Sequence, residues 1–132
     1  MSYRNESSFF YSEVVLSSSN ILNLSTSSFD ITPAPGSNKI IVALSVKLSY
    51  TFGTVAYTPS TFSVGYGPLA SLTSVSGMLN QVFDDFAIIS GAISPTNTSD
   101  INNVSLKVFA SVAPLLGDGT LKVGTWYYIT NV

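Results

Sequence analysis

Residues Lys39–Phe52 constrain the fold of this chain more than any other stretch. Val42, Leu44, Val46, Leu48, Tyr50 and Phe52 share one parity, and Ala43, Ser45, Lys47, Ser49 and Thr51 share the other. A helix would scatter those apolar residues around its circumference. Strict alternation over this length is a half-buried strand. The segment before it, Thr32-Pro33-Ala34-Pro35-Gly36-Ser37-Asn38, holds two prolines and a glycine and reads as a tight connection.

The same pattern recurs along the chain in shorter pieces. Glu13–Leu16, Ile21–Leu24 and Ser28–Ile31 read as short strands, the first two split by Ser17-Ser18-Ser19-Asn20. Phe62, Val64 and Tyr66 alternate with Ser63, Gly65 and Gly67, and Phe86–Ser90 reads as a further strand. A polar loop, Ser94–Asp100, follows it. Val104 to Val112 and Leu121 to Ile129 read as a hairpin closed by Gly117-Asp118-Gly119, which brings Lys107 within reach of Trp126. One segment breaks the β rule. Val75, Met78, Leu79, Val82 and Phe83 follow helical spacing after Ser74, a suitable N-cap, and predict one short helix near residues 75–83.

About eight strands with turn signals at this spacing predict an all-β, jelly-roll-like antiparallel β-sandwich. The expected organisation is a flexible N-terminal arm over residues 1–11 and a single sandwich domain over 12–132. A chain of this length buries a core without metal or disulfide.

The chemistry available to this scaffold is narrow. Histidine and cysteine are both absent, which removes the usual proton shuttle, thiolate nucleophile and soft metal ligands. Asp84-Asp85 is a pair of adjacent carboxylates, but neighbours in a strand point to opposite faces. Asp118 between two glycines reads as a turn residue. Serine is abundant, yet no Gly-x-Ser-x-Gly motif or evident base accompanies it. The expectation is a non-enzymatic protein with no cofactor and no metal.

Only 9% of residues are charged, against about 25% in ordinary soluble domains. The five basic residues, Arg4, Lys39, Lys47, Lys107 and Lys122, are spread singly, so no patch is present to neutralise a phosphate backbone or an anionic membrane. No apolar stretch reaches the ~18–20 residues of a spanning helix, and the N-terminus has no signal-peptide core. Four Asn-x-Ser/Thr matches, at Asn5, Asn23, Asn97 and Asn103, are expected by chance in so serine-rich a chain. A neutral, hydroxyl-rich surface repels its own copies weakly, which favours a homo-oligomer.

Aromatic residues gather near the two ends: Phe9, Phe10, Tyr11, Trp126, Tyr127 and Tyr128. Tyr127 falls on the core parity, and Trp126 and Tyr128 on the other. Three roles stay open for the outward set: a subunit interface, burial under the chain's own N-terminal segment, or stacking on a glycan. The candidate interface or ligand-contact residues are Phe9, Phe10, Tyr11, Trp126 and Tyr128. For a glycan, Ser105 and Lys107 are the candidate neighbours of Trp126 and Tyr128.

Three stretches together resemble small virion proteins of tailed phages: Ile31–Val42, Tyr50–Tyr57, and Gly117–Val123 leading to Trp126-Tyr127-Tyr128. The resemblance covers residues 12–130 in order and spacing and contains no active-site signature. It implies a head-decoration, head-fibre or tail-associated structural protein located in the virion. The implied state is a homotrimer, with the major capsid protein among its partners. The alternative it leaves is a receptor- or glycan-binding module of a phage fibre or tail.

Overall fold

The computed structural model describes residues 8–90 and 97–132. Among these residues, eight strands form two four-stranded sheets. They are β1 (Phe10–Leu16), β2 (Phe29–Asp30), β3 (Lys39–Thr51), β4 (Thr61–Gly67), β5 (Ala70–Ser76), β6 (Asp85–Ser90), β7 (Lys107–Phe109) and β8 (Thr120–Asn131). The first sheet has the order β1-β8-β3-β6 and the second β2-β7-β4-β5. Antiparallel partners are nested: β4 with β5, β3 with β6, β2 with β7 and β1 with β8. The chain is therefore one long hairpin rolled up, and the β3–β8 and β4–β7 ladders close the roll into two sheets. This is the jelly-roll sandwich that the alternation predicts.

The core lies between the sheets. Leu16, Ile41, Val46, Leu48, Tyr50, Leu121 and Val123 face it from the first sheet, and Phe62, Val64, Tyr66 and Val108 from the second. Two hydroxyls tie the layers together. Ser12 Oγ on β1 donates to the carbonyl of Ile31 at 2.7 Å, and Tyr66 Oη on β4 donates to the carbonyl of Ile41 on β3.

The alternation of β3 is interrupted once. Ala43 pairs with Tyr127 and Ser45 with Trp126, so Leu44 is an extra residue in a bulge. Ile41 and Ala43 face the core before it; Val46, Leu48 and Tyr50 face it after. The single stripe read from Val42 to Phe52 is thus two stripes of opposite parity. Leu44, 40% exposed, is not in the core.

Three further expectations are corrected. Residues 75–83 form no helix: Val75 pairs with Phe62 and Ser76 with Thr61 in the β4–β5 ladder, and Gly77 then turns the chain at φ +83°. A helical face would bury its whole stripe, whereas Met78 and Leu79 are buried and Val82 and Phe83 exposed. Conversely, Ile21–Leu24 is no strand. Ser18–Leu22 is a short helix, α1, begun by a capping box in which Ser17 Oγ accepts from the Asn20 amide and Asn20 Oδ1 from the Ser17 amide. Ile21 and Leu24, three apart, both reach the core. Finally, β7 and β8 belong to different sheets and are not a hairpin. Lys107 is therefore remote from Trp126, and its Nζ donates to the carbonyl of Tyr66 at 3.0 Å.

Phe10 and Tyr11, assigned to the arm by the sequence, are the first residues of β1; residues 1–7 of that arm lie outside the described residues. So does the predicted polar loop as far as residue 96. Thr98–Asp100 is a 3-10 turn capped by Asn97.

Candidate functional site

The first sheet presents its outer face to solvent, and there the strand register assembles what the sequence holds apart. Tyr11 lies opposite Trp126, and Phe10 opposite Tyr127. Their rings are 4.8 Å and 5.5 Å apart, and Phe9 meets Tyr128 edge-on at 6.1 Å. All five predicted site residues are thus brought to the β1–β8 ladder, but not to one face. Phe10 shares the core-facing side with Tyr127. Phe9, Tyr11, Trp126 and Tyr128 point outward.

Beside them are residues that sequence reasoning did not assign to the site. Gly124 on β8 lies between Glu13 on β1 and Lys47 on β3. With no side chain there, the Tyr11 ring lies down over the strand; a Cβ on Gly124 would come within 2.7 Å of Tyr11 Cζ. Tyr11 Oη donates to Glu13 Oε2 at 2.6 Å, Lys47 Nζ reaches the same oxygen at 3.1 Å, and Nζ stands 5.4 Å from the Tyr11 ring centroid. The Tyr11 hydroxyl, and then the Lys47 ammonium, hold the Glu13 carboxyl below its ordinary pKa. Tyr11 and Glu13 in turn hold Lys47 above its own. Tyr11, Glu13 and Lys47 thus contact one another as a single cluster on the surface.

The outer face continues as apolar surface. Ile88 and Phe86, on edge strand β6, stand beside Lys47 and Ser49 and are 66% and 57% exposed. Val15 flanks Lys122 on the other side. Trp126 is itself 49% exposed. Aromatic and aliphatic side chains around one satisfied ion pair have the composition of a protein-contact surface. Only the parity of Tyr11, Glu13 and Lys47 was available from sequence; the register that unites them is a tertiary property.

The carboxylates named from sequence serve the backbone. Asp84 Oδ1 accepts from the Phe52 amide at 2.9 Å, and Asp85 Oδ1 from the Phe86 amide. Asp118 accepts from the Thr54 and Val55 amides at 2.8 and 2.9 Å and from the Thr54 hydroxyl. That hydroxyl, followed by the two amides, holds the Asp118 pKa down. Among the described residues no three metal-binding side chains converge, and no helix is long and apolar enough to cross a membrane. The predicted glycan set is not brought together. Trp126 and Tyr128 face out from the first sheet, while Lys107 is on the second and Ser105, just before it, donates to Asp30 Oδ1.

No family model matches the sequence, and no curated protein matches it. Among solved structures, a chain from the capsid asymmetric unit of cyanophage Pam1 superposes with a TM-score of 0.58 at 16% identity, over 93% of this chain and 84% of that one. A chain from the capsid of Ralstonia phage GP4 matches at 16% identity with a TM-score of 0.42, over 97% and 90% of the two chains. The cyanophage likeness is one of fold, and it extends over nearly the whole sandwich.

Proposed function

We propose that this chain is a structural protein of a phage particle, a capsid decoration or head-fibre subunit that acts by assembly. The observation that carries the reading is the near full-length fold likeness to a chain of the cyanophage Pam1 capsid asymmetric unit. The exposed aromatic face around Tyr11 and Trp126 supports it, because it supplies a contact surface. The proposed assembly is a homotrimer, in line with the resemblance to tailed-phage virion proteins. In a closed ring each favourable contact repeats in every copy.

Sedimentation of the purified chain at micromolar concentration tests the assembly. The expected species holds three copies of the 14.0 kDa chain, and the double variant Tyr11→Ala/Trp126→Ala shifts it to monomer with the fold retained. A monomer for the unmodified chain across the concentration range would refute the homotrimer. Peptide mass spectrometry of purified particles tests the location: absence of the chain from washed, intact particles would refute the virion role.

A further inference from the structure

We propose that the outer face of the second sheet carries a binding cleft for a neutral saccharide. Strands β4, β5 and β7 and the segment Leu24–Ser28 enclose a depression of about 540 Å³, within the ~300–1,000 Å³ typical of small-ligand sites. Nine of its fourteen lining residues are serine or threonine. They include the unbroken run Ser25–Ser28 and, from the strands, Thr61, Ser63 and Ser74. Such a lining mixes hydroxyls with apolar carbon and holds one cation, so it does not suit a polyanion.

The chemistry narrows the ligand further. A hydroxyl donates once and accepts twice. The cross-strand pair Ser63–Ser74, 3.0 Å apart, therefore still offers acceptors and one free O–H. Phe109, half-buried on β7 opposite Ser63, adds one aromatic ring to the lining. Many hydroxyls around one ring complement a sugar, whose hydroxyls hydrogen-bond in both directions and whose C–H face packs on an aromatic surface. Lys107 is the sole charged lining residue among those described. Two of its three donors go to the carbonyls of Tyr66 and Ser105, and Asp30 is its cross-strand partner. Its ammonium is thus largely committed to backbone carbonyls beside an acidic residue on the neighbouring strand, and one donor remains for a ligand hydroxyl. A phosphate-rich ligand would need several cations, and a metal would need carboxylates. The cleft and the Tyr11–Trp126 face lie on opposite sides of the sandwich, so this inference stands apart from the assembly reading.

The test is an array of mono- to tetrasaccharides built from hexoses, 6-deoxyhexoses and N-acetylhexosamines, followed by calorimetric titration of the best ligand. Ser74→Trp fills the cleft from an exposed position on edge strand β5. Phe109→Leu keeps apolar volume but removes the aromatic face. Each is expected to weaken binding at least tenfold, while Trp126→Ala, on the far side, leaves it within twofold. Circular dichroism verifies the fold of each variant. No binding of any of these saccharides at millimolar concentration would overturn the proposal. So would binding that Trp126→Ala abolishes and that Ser74→Trp and Phe109→Leu both leave intact.

Discussion

Gly124 and Gly117 both lie against a tyrosine ring, and they differ in whether that ring has somewhere to go. At Gly124 an added Cβ meets the far end of Tyr11, a partly exposed side chain that can swing into solvent. At Gly117 the backbone is at φ +85°, and the Cβ would lie 2.7 Å from Cε1 of Tyr57, a fully buried ring whose hydroxyl donates to the carbonyl of Gly119. Gly124→Ala is therefore expected to cost about 1 kcal/mol or less, and Gly117→Ala about 3 kcal/mol or more. Trp126 is the sole tryptophan, so its fluorescence reports the Tyr11 contact directly. Gly124→Ala should alter the emission with a small change in melting temperature, whereas Gly117→Ala should lower the melting temperature strongly. An unchanged spectrum in Gly124→Ala would contradict the role given to that glycine. Neither role is legible in the sequence, because a glycine does not disclose which distant ring it makes room for.

At the scale of elements, the bulge in β3 makes a sharper claim than the strand itself. Removing Leu44 would join Ile41 and Ala43 to Val46, Leu48 and Tyr50 in one parity, so the deletion keeps every inward residue inward. Removing Lys47 would instead turn Leu48 and Tyr50 outward. The first deletion is expected to fold with a stability change of about 1 kcal/mol, and the second to abolish the cooperative thermal transition. A melt in which the Leu44 deletion is the more damaging would refute the register. The bulge stands opposite Tyr127 and Trp126, so the Leu44 deletion should also shift the tryptophan emission. The long strand was legible because thirteen residues of alternation outweigh one irregularity. The helix expected near 75–83 was misread because a strand end, a glycine turn and two core anchors mimic a helical stripe over nine positions. α1 was missed for the opposite reason: its capping signal, Ser17 with Asn20, sits in a run of serines that reads as a break.

For the molecule as a whole, the expectation of a two-sheet jelly roll follows from strand number and turn spacing, and the structure bears it out. Connectivity was not legible, since β7 and β8 look like neighbours in sequence and lie in opposite sheets. Two buried tyrosines, Tyr66 between the sheets and Tyr57 in the connection from β3 to β4, give the fold an alkaline limit. Burial, and for Tyr57 also the nearby Tyr50 and Asp118, pushes Tyr57 up to about 12. Burial alone does the same to Tyr66. An unfolded tyrosine titrates near ~10. The folded pKa values are raised, so this contribution is intact below pH 10 and is lost as pH climbs from there towards 12. Each tyrosine contributes a slope of about 1.4 kcal/mol per pH unit in that window. Denaturant midpoints measured from pH 8 to 12 should be flat and then fall, and Tyr66→Phe should shallow the fall. A flat profile to pH 12 would refute the burial of these hydroxyls.

The nested pairing also governs how the chain comes into being. Among the described residues, every ladder in both sheets joins a strand before the Gly67–Ala70 turn to one after it. A growing polypeptide that has delivered only β1 to β4 from the ribosome possesses no native strand partner at all. Those first four strands must wait, with their hydrogen-bonding groups unmatched, until the second half emerges and interleaves with them.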